Sequence, residues 1–193
     1  MNINSEKKVS ILIFASGNGS NAENIITFFQ KKSIHINWII ITNNSNAGVI
    51  ERSVRLNIPF MVFSKDDFYN NNVLEKINLI NPSLIVLAGF LLKIPEQIIE
   101  NFPNKIINIH PSLLPKYGGK GMYGINVHKK VIENQESESG ISIHYINQNY
   151  DEGKVIFQKS ITISYPTDAS NLSKKIHELE MKYFPEVIEK LLN

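Results

Sequence analysis

The feature that most limits what this chain can fold into is a repeated alternation of short apolar runs with helix-length stretches. Val9 to Phe14, Trp38 to Thr42, Pro59 to Phe63 and Leu84 to Ala88 are such runs, and a fifth ends at Asn108 and His110. Helical patterns separate them. One follows a glycine loop at Gly17-Asn18-Gly19; a second runs from about Ala47 to Leu56. A third opens with a cap at Ser64 and carries Phe68, Val73, Leu74, Ile77 and Ile80 on one face until Asn81-Pro82 ends it, and a fourth runs from about Pro95 to Asn101. Continuously apolar strands are buried on both faces, and their alternation with helices predicts an α/β fold built on a parallel sheet with crossover helices. Ligands in such sheets collect at the carboxyl ends of the strands. The glycine loop, Gly89-Phe90 and the Asn108–His110 pair all fall at strand ends, so they are expected on one edge of the sheet.

The densest chemistry lies in Asn108-Ile109-His110-Pro111-Ser112-Leu113-Leu114-Pro115. A residue before proline is steered away from helical angles, so the strand breaks into a loop at His110. Side chains alternate along a strand, so Asn108 and His110 point the same way. That pairing sets a carboxamide able to donate to a developing oxyanion beside an imidazole able to move a proton near neutral pH. The competing reading is a strand-end Asn and His satisfied by backbone groups.

Ala15-Ser16-Gly17-Asn18-Gly19-Ser20-Asn21 joins the first strand to the first helix. Glycines allow a tight turn, and the free amides and dipole of a helix start favour an anion such as phosphate. Ser20 with Glu23 also has the spacing of a capping box, which makes the loop a simple helix start. It is not the dinucleotide fingerprint, because the third glycine is missing.

The second half reads differently. Lys116 to Gly124 contains four glycines and is expected to be a mobile loop, either covering a site or merely connecting elements. A helix from Ile125 to Asn134 follows. Gly140 to Tyr145 alternates as a half-buried strand, and Val155 to Ile163 forms another. Between them Asn147 to Gly153 is a polar turn segment. Its Asp151 is by default a turn residue; brought near His110, it would orient the ring and favour the imidazolium. A long helix from about Asp168 to Leu192 carries an apolar stripe of Leu172, Ile176, Leu179, Tyr183, Val187 and Leu191. His177 and Glu180 lie one turn apart on it, so they either address one spot or form a solvated face.

Composition narrows the function classes. The 193 residues suit one domain, or one domain with two lobes. A net charge of +2 gives no argument for nucleic acid, so no such partner is expected. The chain has no cysteine and five scattered histidines, so no metal site is expected. Met1 to Ser10 lacks the apolar core of an export signal and no later run is long enough for a bilayer, which gives no membrane partner and a cytoplasmic location as expectations.

Ser16-Gly17-Asn18-Gly19-Ser20-Asn21, Leu87-Ala88-Gly89-Phe90, the segment from Asn108 to Tyr117, and Asp151-Glu152-Gly153 together closely resemble the phosphoribosylglycinamide formyltransferase family, folate-dependent enzymes of purine synthesis. The resemblance spans almost the whole chain in order. It implies a Rossmann-like formyltransferase fold: a mostly parallel sheet flanked by helices, with antiparallel strands in the C-terminal part. It implies a single domain over 1–193, with a phosphate-binding lobe at about 8–107 and a folate and catalytic lobe at about 108–193. Methionyl-tRNA formyltransferases are similar at the His segment but carry a further C-terminal domain. Formyltetrahydrofolate deformylases are similar at the glycine loop but carry a further N-terminal one.

By this resemblance, Asn108 donates to the formyl oxygen, His110 is the general acid/base and Asp151 holds His110 in its working state. Gly19, Ser20 and Asn21 bind the substrate phosphate, and His177 and Glu180 contact the phosphoribosyl substrate. Leu91, Leu92, Lys93, Ile94, Asn147, Tyr150 and Asp151 wall the folate site together with Asn108. The implied co-substrate is 10-formyltetrahydrofolate, without a metal, and the implied partners are small-molecule substrates. Oligomeric state stays open between monomer and homodimer. Two departures stand out: Leu92, followed by Lys93, occupies the place where relatives often have an arginine, and the loop between Tyr117 and His128 is longer than in many relatives.

Overall fold

A computed structural model describes residues 9–193; the polar opening over 1–8, read above as lacking an export signal, lies outside the described residues. The elements, in chain order, are β1 (Ser10–Phe14), α1 (Ser20–Lys31), β2 (Asn37–Thr42), α2 (Gly48–Arg55), β3 (Phe60–Val62), α3 (Lys65–Tyr69), α4 (Asn72–Ile80), β4 (Leu84–Leu87), α5 (Glu96–Asn101), β5 (Ile106–His110), α6 (Ile125–Glu133), β6 (Glu138–Tyr145), β7 (Val155–Thr162) and α7 (Ala169–Leu192).

The strands make one sheet in the order β3-β2-β1-β4-β5-β6-β7. Pairing is parallel from β3 through β5 and antiparallel from β5 to β6 and β6 to β7. The apolar runs explain the parallel part. In β1, Ile11 and Ile13 pack on one face with Ala22, Ile25 and Phe29 of α1 and with Ile176 and Phe184 of α7. Leu12 and Phe14 pack on the other face with Phe68, Val73, Ile77 and Ile98. Both faces are covered, so every position of β1 must be apolar or small.

This order reverses between β1 and β4: the chain builds outward through β2 and β3, then returns to the opposite side of β1. Such a switch point leaves a crevice at the strand ends. Here the loops after β1 and β4 meet. The Ser16 N–H donates to the Gly89 carbonyl oxygen at 3.0 Å, and Ser16 Oγ accepts from the Leu91 N–H at 2.9 Å while donating to Asn43 Oδ1 at 2.6 Å.

Three expectations need correction. The single helix after Ser64 is two helices, because Asn71 adopts a left-handed backbone (φ 71) that breaks the hydrogen-bond ladder. The Ser64 cap itself holds, in a capping box with Asp67. Ser20 and Glu23 do not form such a box. Gly19 is the N-cap, with no side-chain cap bond, and the Glu23 carboxylate is drawn instead to Arg52 and Arg55. Finally, β6 is not half-buried: Ser142 and His144 on its polar phase are fully enclosed, because the loop after β5 and the segment between β6 and β7 cover that face, with the Leu114 N–H donating to Ser142 Oγ at 2.9 Å and Asp151 Oδ1 3.6 Å from His144 Nε2.

Candidate active site

A cavity of about 790 Å³ opens at the carboxyl ends of β1, β4 and β5, a size suited to small-molecule ligands. Asn108, His110 and Asp151, far apart in sequence, all line it. Asn108 and His110 come from the end of β5, as the alternation predicts. Asp151 arrives on the segment between β6 and β7, in a left-handed conformation (φ 56) that aspartate tolerates better than most residues. That segment folds back closely: a Cβ on Gly153 would lie 1.7 Å from the Tyr145 carbonyl oxygen, so only glycine permits the approach.

His110 is almost fully buried. Its Nε2 lies 2.7 Å from the Tyr117 carbonyl oxygen, which only accepts, so Nε2 carries a proton. Nδ1 is then the nitrogen free to take or give a proton, and it lies 3.5 Å from Asp151 Oδ2. Burial pushes the His110 pKa below its ordinary value; the Asp151 charge and the Tyr117 carbonyl offset part of that. Burial also works against the Asp151 carboxylate, yet the neighbouring His110 and the Gly119 N–H help hold it below the usual range. The centre therefore combines an ionised carboxylate with a largely neutral imidazole at neutral pH.

At one end of the cavity, Asn21 Nδ2 donates to Glu180 Oε2 at 2.9 Å, and His177 Nδ1 lies 3.1 Å from the same oxygen. These residues share one spot. The Glu180 hydrogen bond raises the His177 pKa, against a smaller opposing effect of burial. The first amides of α1 open beside them, uncapped by any side chain. Gly17 and Asn21 line the cavity but Gly19 and Ser20 do not. Gly19 instead lets α2 pack, since a Cβ there would meet Val49 Cγ2 at 2.5 Å.

The other end is an apolar slot. Leu91, Leu92, Lys93, Ile94, Asn147 and Tyr150 all line it. Leu92 packs against the Phe14 and Phe68 cluster, and Lys93 Nζ lies 5.5 Å from the Tyr150 ring centroid. The glycine loop between Tyr117 and α6 contributes Gly119, Lys120, Gly121, Met122, Tyr123 and Gly124 to the wall, and the Gly119 N–H donates to Asp151 Oδ2 at 2.9 Å. It is a site wall, not a plain connection.

Two histidines escaped the sequence reading. His144 is fully buried, with Nε2 3.2 Å from Asn108 Nδ2 and 3.6 Å from Asp151 Oδ1. Its signal was present: in β6 a polar residue stands directly opposite Asn108. His128 of α6 lines the cavity with an unpartnered Nδ1, and burial lowers its pKa. Nothing in its spacing marked it. Among the described residues, no cluster of His, Asp and Glu has the arrangement to hold a metal ion.

Residues 9–188 match the family described as formyl transferase. The chain is 34% identical over 190 residues to a phosphoribosylglycinamide formyltransferase of Bacillus subtilis (strain 168), covering 93% of each. It is 32% identical over 189 residues to the chloroplastic phosphoribosylglycinamide formyltransferase of Arabidopsis thaliana, covering 94% of this chain. It spans 65% of that relative's length and 61% of another chloroplastic relative's. Among solved structures, glycinamide ribonucleotide transformylase 1 from Geobacillus kaustophilus superposes with a TM-score of 0.87 at 30% identity, over 96% of this chain and 100% of that one.

Proposed function

Because this chain belongs to the formyl transferase family, we propose that it moves a formyl group from 10-formyltetrahydrofolate to the amine of N1-(5-phospho-D-ribosyl)glycinamide, a step of purine synthesis. The observation that carries this reading is the convergence of Asn108, His110 and Asp151 in one cavity, between an uncapped helix start and an apolar slot. The Bacillus subtilis and Geobacillus kaustophilus relatives, matched over 93% and 96% of this chain, support the substrate pair.

The chemistry follows from the groups present. The substrate amine attacks the formyl carbon, forming the new C–N bond and placing negative charge on the formyl oxygen. An Asn108 Nδ2 hydrogen donates to that oxygen. His110 Nδ1 takes the proton from the attacking nitrogen, becoming an imidazolium whose charge is met by Asp151 and the Tyr117 carbonyl and whose field steadies the nearby oxyanion. It then gives the proton to the folate nitrogen as the old C–N bond breaks, leaving the formylated amide and tetrahydrofolate. Charge and protons balance without a covalent enzyme adduct. Holding both substrates end to end supplies much of the rate through orientation.

The phosphate belongs at the α1 start by Gly17 and Asn21, with Gly19 and Ser20 contributing through their backbone and His177 and Glu180 addressing the ribosyl part. The pterin belongs in the slot of Leu91, Leu92, Ile94, Asn147 and Tyr150, and Lys93 is the cation placed to meet the folate tail. The reading extends to one domain of two lobes, divided near residue 107, working in the cytoplasm. No helix among the described residues is long and apolar enough to cross a membrane.

The test is formyl transfer from 10-formyltetrahydrofolate measured with and without glycinamide ribonucleotide. Product formation that requires the ribonucleotide is expected. Release of formate at the same rate in its absence would make the protein a hydrolase, and binding of both ligands without turnover would make it a non-catalytic module.

A further inference from the structure

His144 touches neither end of the cavity, yet its Nε2 faces two groups of the catalytic centre, Asn108 and Asp151. It sits on β6 directly opposite Asn108 of β5, and it is fully buried. Its Nδ1 lies 2.9 Å from the Tyr145 carbonyl oxygen. A carbonyl only accepts, so Nδ1 carries a proton, and in the tautomer this sets, Nε2 presents a lone pair. That lone pair is 3.2 Å from Asn108 Nδ2.

A primary amide has two nearly isosteric edges, one donating and one accepting. Turned over, Asn108 would set Oδ1 against the Nε2 lone pair, placing two acceptors in contact. Such an unpaired buried arrangement is disfavoured. In the observed orientation one Nδ2 hydrogen is held by His144 and the second is left for the cavity. The Tyr145 carbonyl is itself pinned, because Gly153 packs so closely on it that a Cβ would lie 1.7 Å away. Asp151 Oδ1 stands farther off, at 3.6 Å from Nε2.

We infer that His144 is a positioning residue for formyl transfer: through a relay from the Tyr145 carbonyl to His144 to Asn108, it selects the amide orientation that offers an N–H to the formyl oxygen. This rests on the transfer reading and deepens it, by naming what keeps the oxyanion donor a donor. The role requires an acceptor at this position.

The test is a double-mutant cycle on the full chain. His144→Leu is expected to lower kcat by about 10-fold or more while leaving both KM values within about twofold, because only a transition-state contact is lost. His144→Gln, whose side-chain carbonyl also accepts, is expected to recover most of the rate. In an Asn108→Ala background, His144→Leu is expected to cost less than about twofold further, since the relay has nothing left to orient. Losses that multiply fully across the cycle, or a His144→Gln variant as slow as His144→Leu, would overturn the inference. A second measurement needs no variant: nitrogen NMR of the unaltered protein is expected to give a protonated Nδ1 and a bare Nε2 for His144, and the opposite tautomer would overturn the relay. If the unaltered protein transfers no formyl group, the proposed function falls, and the tautomer still decides whether His144 holds the Asn108 amide.

Discussion

Asp151 approaches His110 on the one ring nitrogen that the backbone leaves free: Oδ2 lies 3.5 Å from Nδ1, while Nε2 is committed to the Tyr117 carbonyl at 2.7 Å. The two contacts divide the work. The carbonyl sets the tautomer, and the carboxylate awaits the charge that appears when Nδ1 takes a proton. Burial works against that charge, so the ring begins as a base.

The acid limb of the rate profile follows from that state. His110 sits below its ordinary value of 6.5, so kcat/KM, which reports the free enzyme, should rise through a pKa below 6.5 and stay level with respect to this group through neutral pH. Initial rates from pH 4.5 to 8, roughly the range over which His and carboxylates titrate, check this. A limb centred above 6.5 would remove His110 from the role of neutral base.

Asp151→Asn keeps the shape of the side chain and deletes its charge. The Asp151 charge raises the His110 pKa, so its loss should shift the acid limb further toward low pH. The imidazolium formed during reaction also loses its partner, and kcat should drop by about 100-fold, the order of a general acid/base contribution. Near-normal turnover would show that the carboxylate is only a turn residue.

Gly153→Ala tests whether close packing of the Asn147–Gly153 segment matters to chemistry. The added Cβ would fall 1.7 Å from the Tyr145 oxygen, so the backbone must move. Both Asp151 and the His144 tautomer depend on that region. A fall in kcat of about 10-fold or more, with stability reduced by about 1–3 kcal/mol, is expected from the displaced backbone. Unchanged kinetics in a folded variant would mean that the segment tolerates the shift.

Glu180 binds Asn21 and His177 through a single oxygen, Oε2. Glu180→Gln should raise the acceptor KM by about 10-fold and leave the folate KM unaltered, the pattern of lost binding at one end. It should also lower the His177 pKa, which Glu180 holds up, and this can be followed by proton NMR. The sign for stability follows: the His177–Glu180 contribution is complete below the unfolded His value and fades as pH rises through the higher folded one. The unfolding free energies of the two proteins should therefore differ most in acid. A gap that widens with rising pH would contradict it.

The backbone architecture was legible because it rests on local pattern. Runs such as Leu84–Leu87 are apolar at every position, and only a sheet covered on both faces requires that. Where competing local signals exist, reading by spacing failed. Ser20 and Glu23 have capping-box spacing, but two arginines of α2, remote in sequence, take the carboxylate. The Phe68 to Ile80 stripe has one helical period, yet Asn71 breaks it with a left-handed residue that periodicity does not register.

By itself the sequence determined which edge of the sheet would carry the chemistry, because strand ends, glycine turns and the residue before a proline are set by covalent geometry and side-chain alternation. Only the tertiary structure decided which groups act on one another there. It placed Asp151 between His110 and His144, gave each imidazole a backbone carbonyl that chooses its tautomer, and buried the centre so that those choices carry weight. The physical reason is range: local propensities act over a few residues, whereas a proton's position depends on every dipole and charge within a few ångströms, whatever their distance along the chain.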